Sequence, residues 1–173
     1  APPSIPQAET GTGVILSITP PSGEALTYTQ VYEKAAPSIA ALTAYSAGMV
    51  STGTGIVLTA DGYIVTNAHI IAGAEQVNVT LSDDSLWSAQ LVGFEPLEDL
   101  AVLKIDASGL TPAQFGDDTL LRSGDPVSAI GNPMGYRSTI TPGIGSALDQ
   151  RVSVEGTTMY LLQTSAAINY GSS

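Results

Sequence analysis

The chain of 173 residues holds a single histidine, His69. Imidazole is the natural carrier of acid–base chemistry near neutral pH, since no other side chain has an unperturbed pKa there. Asp99 follows thirty positions later, and Gly171-Ser172-Ser173 stands at the far end. A hydroxyl nucleophile, an imidazole base and a carboxylate that orients the base are the parts needed for acyl transfer. The order His, Asp, Gly-x-Ser is one in which chains supply them. Each residue also has an ordinary reading: a packed histidine at a strand end, a turn aspartate, a frayed terminal serine.

The elements that must position these residues are strands. Ile56–Leu58 and Tyr63–Thr66 flank Asp61-Gly62, a strong hairpin signal, and the second strand runs on through Asn67-Ala68 to His69. Further strands are predicted at Ser38–Tyr45, Val77–Leu81, Leu86–Phe94 and Leu100–Leu103, six in all, with Asp99 opening the last. Thr27 and Gln30 can form a capping box for a helix over Tyr28–Ala36, which Pro37 must end. Residues 106–125 have the turn residues of a connector. A second set of strands is predicted at Pro126–Ile130, Thr139–Leu148 and Thr158–Gln163. The organisation expected is an extended, Pro- and Gly-rich spacer over 1–26, a first β-barrel with its short helix over 27–115, and a connector with part of a second barrel over 116–173.

Composition narrows the chemistry. Five basic residues face sixteen acidic ones, a net charge of −11, which argues against binding nucleic acid or an anionic membrane surface. There is no cysteine, so disulfides, a thiol nucleophile and thiolate metal sites are excluded. With one histidine as well, neither a metal nor a cofactor is expected. No run reaches the ~20 apolar residues that span a bilayer as a helix. The chain starts at Ala1 rather than Met, which reads as a processed or trimmed start.

The wording around the three residues resembles the HtrA/Deg branch of the trypsin-like serine proteases. The matching pieces are Thr52-Gly-Thr-Gly-Ile56, Asp61-Gly-Tyr-Ile-Val-Thr-Asn-Ala-His69, Asp99-Leu-Ala-Val-Leu-Lys-Ile105 and Ala129-Ile-Gly-Asn-Pro-Met-Gly135. Thr141-Pro-Gly-Ile144 and Gln163-Thr-Ser-Ala-Ala-Ile-Asn169 continue them, so that the likeness covers about 28–173. The resemblance implies an all-β, trypsin/chymotrypsin-like double β-barrel, with the site in the cleft between barrels. It implies His69 as general base, Asp99 as the orienting carboxylate and Ser173 as nucleophile, with the N–H groups of Gly171 and Ser173 as an oxyanion hole. It further implies exposed or unfolded polypeptides as substrates, an extracytoplasmic setting and assembly as a homotrimer.

The chain also departs from that pattern. The family continues beyond the nucleophile into the last strands of the second barrel, so the second barrel is expected to be incomplete here. The missing part would be a complementing segment supplied by a longer chain or a separate fragment. Tyr170 stands where Pro is usual, Ser172 where Asn is common and Ser165 where Asp is frequent. A catalytically incomplete binding or scaffold domain is the alternative, holding a partner strand at the open edge. A ligand-binding β-sandwich is a third reading, poorly served by ten aromatic residues (seven Tyr, two Phe, one Trp).

Overall fold

Thr27 sets the first element. Its hydroxyl accepts from the Gln30 N–H at 3.2 Å, and the Gln30 side chain accepts from the Thr27 N–H at 2.8 Å. This is the reciprocal box the sequence predicts. Helix α1 runs over Tyr28–Ala35 and gives way to a 3₁₀ turn, Ala36–Ser38, at Pro37. The computed structural model describes residues 1–9, 11, 13–132, 139–154 and 157–166.

Two antiparallel sheets follow. The first has seven strands: β1 (Ile39–Ser46), β2 (Met49–Val57), β3 (Tyr63–Thr66), β4 (Gln76–Thr80), β5 (Leu86–Ser88), β6 (Gln90–Glu95) and β7 (Leu100–Lys104). Their spatial order is β5-β4-β1-β2-β3-β7-β6, and the sheet curls into a half-barrel. A four-residue helix, α2 (Ala68–Ile71), interrupts the run between β3 and β4. The second sheet is β8 (Pro126–Gly131), β9 (Thr139–Val154) and β10 (Thr157–Thr164), with β9 in the middle. The protein is all-β, as the sequence predicts.

The first sheet departs from expectation in two ways, the first of which gives it one strand more. The predicted run Leu86–Phe94 splits at Ala89, whose N–H leaves its neighbours to bond the Val77 carbonyl at 2.9 Å. β2 also begins much earlier than Ile56. Ser51-Thr-Gly-Thr-Gly55 has little intrinsic strand signal, yet it pairs with β1 from Met49↔Ser46 to Ile56↔Ile39. Tertiary pairing overrides propensity there. Gly55 is needed bare, because a Cβ would sit 2.8 Å from Ile64 Cγ2.

The core lies on the concave side. Leu42, Val57, Ile64, Val77, Val79, Leu103 and Ile105 are buried there and pack in one cluster with Ile70 and Ile71 of α2. Each such side chain contributes about 2 kcal/mol by leaving water. The Pro-rich start of the chain is extended, but its first residues are docked. Ile5 is buried in the same cluster. Ser4 N–H donates to the Ala74 carbonyl, Leu91 N–H to the Pro6 carbonyl and Ala8 N–H to the Leu91 carbonyl, at 2.7–2.8 Å. This strap covers the free edge of β6, which would otherwise be open for pairing with other chains.

The Asp61-Gly62 hairpin is present but its turn is wider than two residues. The ladder between β2 and β3 pairs Val57↔Ile64, and Leu58 N–H then bonds the Tyr63 carbonyl at 2.8 Å. Gly62 alone takes a left-handed φ, +103°, and its missing side chain makes room for the Ile105 carbonyl, 2.3 Å from where a Cβ would lie. Gly62→Ala therefore carries both a backbone penalty and a clash. We expect a loss of about 2 kcal/mol or more in urea unfolding; a midpoint equal to that of the wild type would contradict this account of the turn.

Candidate active site

A single helical turn such as α2 cannot hold itself, since nucleating a helix fixes several residues for few hydrogen bonds. Two anchors hold it. Beneath, Ile70 and Ile71 are buried in the core, and Gly53 of β2 gives Ile70 its seat: a Cβ there would lie 2.8 Å from Ile70 Cγ1. Above, Asp99 takes the free amides of the first turn. Its carbonyl accepts from Ala68 N–H at 3.1 Å and its carboxylate Oδ1 from His69 N–H at 2.9 Å. The sequence predicts His69 at a strand end; β3 instead stops at Thr66 and the helix begins.

Asp99 reaches this position from a turn. It sits just before β7 with φ +52°, a left-handed conformation that Asp tolerates better than most side chains. Its N–H closes the turn on the Pro96 carbonyl at 3.4 Å. The same carboxylate then meets the imidazole: His69 Nδ1 lies 2.8 Å from Oδ2 and 3.0 Å from Oδ1. Asn67 Nδ2 donates to Oδ2 at 3.1 Å and to the Asp99 carbonyl at 3.4 Å. Sequence reasoning gave Asn67 no role. The signal available was its position two residues before the histidine, inside the same motif.

A carboxylate can only accept, so the Nδ1 proton points to Asp99 and Nε2 is left as the basic nitrogen. The His69 side chain is 55% exposed and the Asp99 side chain 35%. An ion pair so open adds little stability, about 0–1 kcal/mol. Its effect is orientation: the ring is held by a carboxylate that is itself held by two other donors, the Asn67 amide and the His69 N–H.

Farther along, the approach to the expected nucleophile is fastened to β9. Ser165 Oγ accepts from Ile144 N–H and Ser165 N–H donates to the Ile144 carbonyl, both at 3.0 Å. Gly143 lets Ala166 close in, its absent Cβ falling 2.3 Å from the Ala166 nitrogen. Gly171 and Ser173 lie outside the described residues, as do Tyr170 and Ser172. Thus, of the candidate site residues, the structure brings His69 and Asp99 into contact. A cleft of about 710 Å³ opens elsewhere, between the N-terminal strap and the sheet, lined by Glu9, Tyr63 and Lys104 among others, and includes neither His69 nor Asp99.

Comparison with known proteins gives the family. Residues 53–173 match the trypsin-like peptidase domain. The chain is 41% identical over 125 residues to a putative serine protease, HhoB, of Synechocystis, covering 70% of this chain and 30% of that protein. It is 42% identical over 123 residues to a probable periplasmic serine endoprotease, DegP-like, of Pseudomonas putida, covering 71% of this chain and 26% of the relative. Among solved structures, the HtrA-type protease AlgW with a tripeptide superposes with a TM-score of 0.80 at 41% identity, covering 85% of this chain and 48% of that one. A serine endoprotease from Yersinia pestis gives a TM-score of 0.75 at 37% identity, over 87% of this chain and 52% of that one. This chain belongs to the trypsin-like peptidases, on their HtrA/DegP branch. It spans about a quarter to a third of the curated relatives' length, and about half of the solved chains.

The arrangement makes a prediction that needs no activity. In Asp99→Asn one acceptor oxygen becomes an amide NH₂, a donor, which opposes a proton on Nδ1. ¹⁵N NMR of the imidazole should show the Nδ1-protonated tautomer losing population to the Nε2-protonated one. An unchanged tautomer ratio would mean that Asp99 does not set it.

Proposed function

We propose that this chain carries the catalytic residues of a serine endopeptidase acting on exposed or unfolded polypeptide segments. The observation that supports this most directly is the 2.8 Å contact between His69 Nδ1 and a carboxylate fixed by the Asn67 side chain and by the His69 main-chain amide. Ser173 Oγ attacks the scissile carbonyl and gives its proton to His69 Nε2. The negative charge that develops on the carbonyl oxygen is met by the N–H groups of Gly171 and Ser173, donors worth about 3 kcal/mol each in such sites. Asp99 stabilises the imidazolium, which passes its proton to the leaving amine as the C–N bond breaks. Water, deprotonated by the same imidazole, then releases the acyl group and restores the serine hydroxyl.

The relatives are named as serine proteases, and one was solved with a tripeptide, which supports a polypeptide substrate. The DegP-like relatives are named periplasmic, which supports a place of work outside the cytoplasm; the role proposed there is protein quality control. Among the described residues no helix is long and apolar enough to cross a membrane.

Fluorophosphonate labelling of the full chain, read by peptide mass spectrometry, tests the proposal alongside cleavage of an unfolded protein. Label should fall on Ser173 and disappear in Ser173→Ala and His69→Ala, while Asp99→Asn should lower turnover by roughly 10⁴-fold. A folded full chain that takes no label and cleaves nothing would leave the binding-domain reading in its place.

A further inference from the structure

The histidine turn packs on β2, and one residue of that strand also reaches the end of β8, at the border of the two sheets. Thr54 projects from the convex face, between Gly53 and Gly55, whose own positions face the core. Its Oγ1 accepts from the main-chain N–H of Asn132, the residue that follows β8, at 3.0 Å. The second sheet is thereby hydrogen-bonded directly to the first. The carbonyl of the same residue accepts from Thr66 Oγ1 at 2.8 Å.

The second bond falls at a telling place. The ladder between β2 and β3 ends at Ile56↔Val65. Beyond it the chain turns into α2, and the Thr66 hydroxyl ties the start of that turn back to the Thr54 carbonyl. Thr66 is buried, and Asn67, which holds the Asp99 carboxylate, comes next. One residue before Thr54, Gly53 seats Ile70, the residue after His69. Residues 53 and 54 thus support the histidine turn from below and from its N-terminal side, while the Thr54 hydroxyl faces the sheet whose sequence leads to Ser173.

The geometry points to Thr54 as a positioning residue that sets the His69–Asp99 pair in register with the second sheet. Asn132 is held to it through the main chain; among the described residues its own buried side-chain oxygen has no partner. Removing the Thr54 hydroxyl orphans the Asn132 N–H at the border, an uncompensated loss of the kind that is costly in a partly buried site. The inference rests on the peptidase reading above, since register matters only if the second sheet brings the nucleophile.

The test is Thr54→Val, which keeps the shape and removes the acceptor, set beside Thr54→Ser, which keeps the acceptor. In the full chain, Val should slow fluorophosphonate labelling and kcat by about tenfold, with KM within about twofold, and Ser should restore both. Amide hydrogen exchange at Asn132 should quicken in Val and not in Ser. Should Val fail to fold, Thr54→Ala against Thr54→Ser makes the same comparison. Wild-type labelling in Val, or equal loss in Val and Ser, would overturn the assignment. A wild-type protein that takes no label would sink the peptidase reading instead, and exchange at Asn132 would then decide the tie alone: quickened in Val it stands, unchanged it falls.

Discussion

The Asp99 carboxylate is the point on which the candidate site depends. It is asked to do two things with two oxygens. One oxygen caps the His69 amide and so helps to make the helical turn; the other, shared with Asn67, receives the imidazole. Folding and chemistry therefore draw on a single group. The strained φ of +52° at Asp99 is the local cost of delivering both oxygens from a turn, and it persists because the hydrogen bonds to its carboxylate, carbonyl and N–H over-determine it.

Around that group the first sheet acts as a rigid frame. β2 is central to it, pairing with β1 from Met49 to Ile56 and with β3 at Ile56 and Val57. Its two glycines in the core row are spacers of opposite kind: Gly55 admits Ile64 into the core, and Gly53 admits Ile70 of the histidine turn. Precision at His69 is thus a matter of close packing beneath it, where side chains have little room to shift.

Much of this was legible in the residues. The capping box of Thr27 and Gln30, the return at Asp61-Gly62 and the strand Leu100–Lys104 are local patterns, and local patterns survive folding. The pairing of His69 with Asp99 could be expected from the wording of the motifs, though not from spacing alone. What could not be read was non-local. Ser51–Gly55 becomes strand because β1 lies beside it, and nothing in Ser-Thr-Gly-Thr-Gly announces that. Likewise α2 exists because Asp99 caps it from thirty residues away, so no window around His69 could show a helix there. Asn67 and Thr54 act through contacts made by turns and strand ends, where propensity is silent.

The strap at the start of the chain has a kinetic meaning. Ser4 meets Ala74 across seventy residues of sequence, and Pro6 and Ala8 meet Leu91 across a longer span. Closing such loops is entropically costly and is rewarded only once β4 and β6 are in place. A segment of this kind contributes little to the transition state for folding and much to the native state. Its contacts then act chiefly on the rate at which the sheet comes apart. The strap is a latch: added last, it decides how long the frame beneath the histidine endures.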